Sequence, residues 1–221
     1  MMNEEQYKMA YECVVNGKVG EAQKIGEMLK AAGVDSKDVG KVLIDAMNVV
    51  GHKYREREIA LPQLILATHS FKKMLLPYVM DTKGEAGTVV MGVVQNDIHD
   101  IGKNLVVGML QVYGYKVHDL GKDVPLDKFV EAAKQQNANI VGAGTLLTAT
   151  MPELETILNK LKDAGLKDKV KYMVGGAPIT TTFAKRIGAD GYAADAVLAV
   201  EMVAELMKGN QCYLAARQEK A

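Results

Sequence analysis

Thr88-Val89-Val90-Met91-Gly92-Val93-Val94, and after it Asp97-Ile98-His99-Asp100-Ile101-Gly102, is the stretch that decides the fold. A short apolar run ends in a polar loop, and Asn104 to Tyr113 then reads as a helix. Strand, loop and helix in that order predict the first unit of a parallel sheet. The loop falls at the carboxyl end of the strand, the edge where open α/β sheets bind ligands. A histidine there can be a base, a hydrogen-bond donor or a metal ligand. Asp97, two positions earlier, can hold the far ring nitrogen, which fixes the tautomer and makes the imidazole a better ligand. Gly102 leaves room for a bulky planar group. The competing reading is a solvated loop whose aspartates cap the next helix.

Downstream the pattern repeats. Strands are predicted at Thr88–Val94, Lys116–Leu120, Ile140–Gly144, Lys171–Val174 and Gly191–Tyr192, with helices near 102–113, 126–136, 152–164, 180–187 and 195–208. Pro125 and Pro152 sit near helix starts, and Gly114, Gly165 and Gly188 at helix ends, as each residue prefers. Five such units predict a doubly wound, flavodoxin-like (Rossmann-type) five-stranded parallel sheet over residues 88–209, with 210–221 as a C-terminal tail. Strands one and three are then neighbours at the topological switch point. The loop Gly144-Thr145-Leu146-Leu147-Thr148-Ala149-Thr150 therefore faces the His99 loop. A hydroxyl of Thr148 or Thr150 can bond Asp97 and extend the chain to His99. These threonines can equally cap the helix opening at Pro152. The fourth strand ends in Gly175-Gly176, which permits close approach of backbone to a ligand, an anion at a helix start, or a plain turn.

Upstream, residues 1–83 read as helices only. Four apolar faces follow helical spacing: Tyr7, Tyr11, Val14 and Val15; then Ala22, Ile25, Met28, Leu29 and Ala32; then Val39, Val42, Leu43, Ala46, Val49 and Val50; then Leu61, Leu64, Ile65, Thr68, Leu75 and Val79. Short connections predict a four-helix bundle. Residues 81–87, polar and glycine-containing, are the expected linker.

Composition narrows the function. The 221 residues carry 27 lysines and arginines against 27 acids, so no excess charge points to nucleic acid or a membrane surface. The polar, acidic N-terminus is unlike a signal peptide, and no apolar run approaches a membrane span. Cys13 and Cys212 are the only cysteines, which fits reduced thiols in the cytoplasm.

Asp-x-His-x-x-Gly at 97–102, x-x-Leu with threonines at 144–150, and Gly-Gly at 175–176 lie in order behind a helical segment. In this the chain resembles the cobalamin-binding corrinoid proteins: the cobalamin module of methionine synthase and the small methyl carriers of methanogens and acetogens. The resemblance runs from about residue 4 to 208. It implies that His99 is the lower axial ligand to cobalt, with Asp97 and Thr150 as the relay behind it. It implies that Gly102 lies beside the corrin, and that Leu146, Thr148, Gly175 and Gly176 line the path of the nucleotide tail. Tyr54 and Leu61 match the two apolar residues of a helical cap over the methyl side. One position departs: the serine of the family's Ser-x-Leu is Gly144 here.

The resemblance further implies a chain that does not turn over alone but carries a methyl group on cobalt between two methyltransferases. The first would be specific for a methylamine, a quaternary amine, methanol or a methoxylated aromatic. The second would serve coenzyme M or tetrahydrofolate, and a reductive activator would attend the cobalt. Proton uptake would run through His99, Asp97 and Thr150. A cobalamin-sensing regulator is a rival reading, but it should carry a basic helix-turn-helix, and residues 1–83 are near neutral. The small subunit of an adenosylcobalamin mutase is another; it would lack the helical cap.

Overall fold

The computed structural model describes residues 2–79 and 85–214, and only the backbone of Arg55 and Val197. Most of the expected linker, 81–84, lies outside the described residues, as do 215–221 of the expected tail. The chain forms two compact units, one helical and one built on a sheet.

The helical unit contains α1 (Glu4–Val15), α2 (Val19–Ala31), α3 (Ser36–Arg55) and α4 (Leu61–Val79). Local chemistry starts the first and third. Asn3 accepts from the Gln6 amide while the Gln6 side chain returns to the Asn3 amide, a reciprocal cap. Asp35 caps α3 through the Lys37 amide. Helix α2 packs on α4, and α1 on α3. Phe71, Met74, Leu75, Leu43, Ile44 and Leu29 are buried between them.

Five residues predicted on the apolar faces lie at their exposed margins instead: Tyr7, Met28, Ala32, Leu61 and Ile65. In α4 the buried stripe runs Leu64, Ala67, Phe71, Met74 and Tyr78, which turns Leu61 and Ile65 outward. Pairs four apart share a face, and the Leu61–Ile65 pair is one step off the stripe that packs.

Among the described residues the sheet unit carries six strands, not five, all parallel, in the order β2-β1-β3-β4-β5-β6. They are β1 (Thr88–Val93), β2 (Lys116–Asp119), β3 (Ile140–Gly144), β4 (Lys171–Gly175), β5 (Gly191–Ala193) and β6 (Cys212–Leu214). The last falls in the expected tail. Three residues are too short for a periodic signal, and β6 forms because Gly191, Tyr192 and Ala193 of β5 offer it an open edge. Tyr213 anchors it, its hydroxyl donating to the Ala189 carbonyl at 2.6 Å.

The helices of this unit are α5 (Ile101–Val112), α6 (Leu126–Gln135), α7 (Met151–Asp163), α8 (Thr181–Ile187) and α9 (Ala196–Met207). Strands β1, β3 and β4 are almost wholly buried, as expected when helices cover both faces. The fully buried Tyr172 donates its hydroxyl to the Leu154 carbonyl at 2.8 Å, and burial pushes its pKa well up. Strand order reverses between β1 and β3, so the loops after these two strands leave the sheet side by side. Among the described residues no helix is long and apolar enough to cross a membrane.

Candidate corrinoid site

The pairing Val93↔Gly144 sets the ends of β1 and β3 level. Asp97 follows the first end and Thr145 the second. Asp97 is completely buried, while the His99 side chain is 47 % exposed. A buried carboxylate needs donors, and this one has four. Oδ1 accepts from the His99 amide at 2.9 Å and lies 2.7 Å from its Nδ1. Oδ2 accepts from the Thr145 hydroxyl at 2.7 Å and the Leu146 amide at 2.6 Å. A carboxylate offers about four lone-pair sites, so all are used. Burial alone would push this carboxyl's pKa up. The bonds from Thr145, from the His99 and Leu146 amides and from the His99 ring outweigh it and hold the pKa well below the usual carboxylate range.

An anionic Asp97 can only accept, so the ring carries its proton on Nδ1. Nε2 then holds a lone pair, and no hydrogen bond engages it among the described residues. No cluster of three or more His, Cys, Asp and Glu side chains that could hold a metal occurs among them either.

The histidine loop is braced on its other side. Asn96 and Asp123 both take left-handed backbone conformations, at φ +67° and +53°. The Asn96 amide donates to Asp123 Oδ1 at 2.7 Å, and the Asp123 amide donates to the Asp97 carbonyl at 2.9 Å. Lys103, buried in the first turn of α5, reaches both carboxylate oxygens of Asp119 at 2.5 Å. Asp119 closes β2, so the pair ties the helix after the loop to the neighbouring strand.

The other expected site residues are placed as follows. Gly102 is exposed, and a β-carbon there would meet nothing within 4 Å. Leu146 and Thr148 are exposed beside His99's loop, together with Ile98 and Leu147. Gly144 and Gly175 are half-buried register partners, and a β-carbon would make ordinary contact with the Gly175 carbonyl oxygen at 3.6 Å in the first and the Ala193 carbonyl oxygen at 3.9 Å in the second. Gly176 has φ +120°, and a β-carbon there would lie 1.8 Å from the Thr145 carbonyl oxygen. The close approach it permits is to the chain's own backbone. Thr150 is buried but does not touch Asp97; it meets Thr145 Oγ1 at 2.5 Å, and Thr145 alone makes the bond to Asp97. Thr150 also occupies the N-cap position of α7 without a side-chain capping bond, so its hydroxyl is committed to the loop. Tyr54 and Leu61 are 40 % and 49 % exposed on the helical unit.

Thr145, Lys103, Asp119 and Asp123 were not expected in the site. Thr145 had a signal: it is the first residue past β3 and stands across from the Asp97 loop once β1 and β3 pair. The other three depend on the β2 edge, which local sequence does not reveal.

A doubly wound sheet with an imidazole at its switch point, Nδ1 held and the ring half exposed, is a protein with a nitrogen placed to meet a ligand at the sheet edge. Residues 87–201 match the B12 binding domain family, and residues 7–75 match a second family of the same description. The dimethylamine corrinoid protein of Methanosarcina barkeri is 37% identical over 213 residues, covering 94% of this chain and 100% of that protein. The solved monomethylamine corrinoid protein of Methanosarcina barkeri superposes with a TM-score of 0.74 at 33% identity, over 93% of this chain and 100% of that one. The methanol:cobalamin methyltransferase complex of the same organism gives 0.57 at 26%, over 96% and 83%. The chain belongs to the B12-binding family of corrinoid proteins, and its cofactor is a corrinoid. The site suits that group: a half-exposed imidazole, open space at Gly102, no side chain at 144 and 175, and exposed Ile98, Leu146 and Leu147 as apolar platform.

Proposed function

We propose that this chain carries a methyl group between two methyltransferases, with His99 as the lower ligand of its corrinoid and a methylated amine as the donor class. The observation that carries the reading is the His99 ring, tied at Nδ1 to a buried, fully bonded carboxylate and open at Nε2. The match to mono- and dimethylamine corrinoid proteins supports the donor class. The acceptor is coenzyme M or tetrahydrofolate, served by a second methyltransferase, and a reductive activator restores the carrier.

When bound, the corrinoid supplies a cobalt that takes up and gives away a methyl group. The protein supplies the rest. His99 binds through Nε2 while Asp97 keeps its other nitrogen protonated. Nε2 is the ring atom left to hold the metal or a proton, and the contacts running from Nδ1 to Asp97 are the candidate proton relay. Thr150 joins this relay behind Asp97. Gly102 stands clear for the ring system, while Leu146, Thr148, Gly175 and Gly176 line the path of its tail. Tyr54 and Leu61 are exposed apolar residues of the helical unit and are its candidates to shield a bound methyl group from water. The likeness to proteins named corrinoid proteins supports a carrier subunit that works with partner enzymes and is not an enzyme by itself.

Hydroxocobalamin loading tests the reading. Wild type should retain it with the absorption of a histidine-ligated form, and His99→Ala should lose that spectrum and much of the retention. An identical spectrum in the variant removes His99 from the ligand role. Tyr54→Ala should keep the spectrum yet speed photolysis of the methylated protein; equal photolysis rates remove Tyr54 from the cover.

A further inference from the structure

The hydroxyl of Thr145 has one proton to give and two lone pairs. Four groups surround it: Asp97 Oδ2 at 2.7 Å, Thr150 Oγ1 at 2.5 Å, the Leu147 amide at 3.1 Å and the Leu147 carbonyl at 3.3 Å. The single proton goes to the carboxylate, which is both anionic and closer than the carbonyl. The Leu147 amide fills one lone pair. The Thr150 hydroxyl lies 3.2 Å from the Leu147 carbonyl but only 2.5 Å from Thr145 Oγ1, so the shorter contact takes its proton and Thr150 donates into the other. The chain therefore has one direction: Thr150 to Thr145, Thr145 to Asp97, and Asp97 accepting from His99 Nδ1. Thr150 has no independent route to the carboxylate.

Thr145 also fixes the plane of Asp97. With the Leu146 amide it pins Oδ2, leaving Oδ1 to the His99 amide and ring. The backbone holds Thr145 in turn, because its carbonyl lies over Gly176 and its amide donates to the Gly175 carbonyl at 3.2 Å. We propose that Thr145 is the positioning residue for His99: its hydroxyl orients the Asp97 carboxylate, sets the ring's tautomer and direction, and is the only path by which Thr150 acts on the site. The proposal rests on His99 being the cobalt ligand, but its first test needs no cobalt.

Nitrogen-15 spectra of the protein without corrinoid read the His99 tautomer directly. Wild type should show the Nδ1-protonated ring. Thr145→Val, close in shape but without the hydroxyl, should show a mixture of tautomers, and Thr145→Ser should restore the wild-type signals. Thr150→Val should give a smaller change than Thr145→Val. With hydroxocobalamin, Thr145→Val should weaken retention of the histidine-ligated form by about 10-fold, as loss of a group behind a metal ligand does. Should Thr145→Val fail to fold, Thr145→Ala carries the same comparison with serine. Wild-type ring signals in the valine or alanine variant overturn the proposal. So does a serine variant as impaired as valine, or a Thr150→Val effect as large as that of Thr145→Val. A His99→Ala protein with unchanged cobalamin spectrum strikes at the ligand reading alone and leaves the ring spectra to judge Thr145.

Discussion

Two glycines, one in each unit, show how differently the halves of this chain are built. Gly26 in α2 lets that helix approach α4 so closely that a β-carbon would stand 2.3 Å from the Met74 carbonyl oxygen. Gly176 after β4 lets its loop approach the Thr145 carbonyl even more closely, at 1.8 Å. Behind Gly26 lies apolar packing: Ala22, Ile25, Leu29, Phe71 and Met74. Behind Gly176 lies a hydroxyl, then a buried carboxylate with four donors, then a histidine. The same steric device serves stability in the first case and the position of the His99 ring in the second. In the helical unit any side chains of suitable volume and pattern could hold the fold. In the sheet unit the polar groups must also be satisfied one by one, because each buried donor left without a partner costs about 1–3 kcal/mol.

The sharpest way to break this comparison is Gly176→Ala. The positive φ and the clash with backbone together should cost about 4 kcal/mol in urea-induced unfolding and shift the His99 ring signals. A loss under about 1 kcal/mol would mean that the loop yields freely and positions nothing. Asp97→Ala comes next. It leaves the Thr145 hydroxyl and the Leu146 amide without their acceptor, for a loss of about 3 kcal/mol. Unfolding midpoints equal to wild type would show that water replaces the carboxylate, and the polar core would then be no core. Gly26→Ala should cost about 2 kcal/mol through overpacking, with the His99 ring signals unchanged. Altered ring signals would show that the packing of the helical unit reaches the site.

The smallest effect is confined to alkaline pH. Burial pushes the Cys13 thiol from 9.0 up to about 11, Glu21 adds to the shift, and Lys18 opposes it. A thiol whose pKa is raised by folding stabilises the folded chain fully below pH 9. That contribution is lost as pH rises from about 9 through about 11, because the unfolded thiol ionises first. Wild type should therefore lose stability across that window faster than Cys13→Ala. Parallel pH profiles for the two would show that Cys13 is not held neutral by the bundle.

The order of elements was legible because each βα unit announces itself locally. An apolar run short enough for a strand stops at a polar loop, and a helical period follows. The helices of the first unit were legible for the same reason, though their margins were not. Periodicity says which residues share a face, but the angle at which α4 meets α2 decides that Leu64 and Ala67 are covered while Leu61 and Ile65 are not. Strand β6 was missed because three residues carry no period, and only the open edge of β5 calls them into the sheet.

At the site, sequence alone determined the histidine, the aspartate two residues before it, the sheet edge they occupy and the cofactor that family resemblance attaches to them. These are short-range facts, since Asp97 reaches His99 across two residues. The tertiary structure decided which hydroxyl stands behind the aspartate. The linear reading offers Thr148 and Thr150 and passes over Thr145, which makes the bond. The three separate only when β1 and β3 pair with Val93 against Gly144 and the Thr145 carbonyl settles over Gly176. Hydrogen bonds across 48 residues of sequence depend on strand register and on tenths of an ångström, and neither is written in residue type.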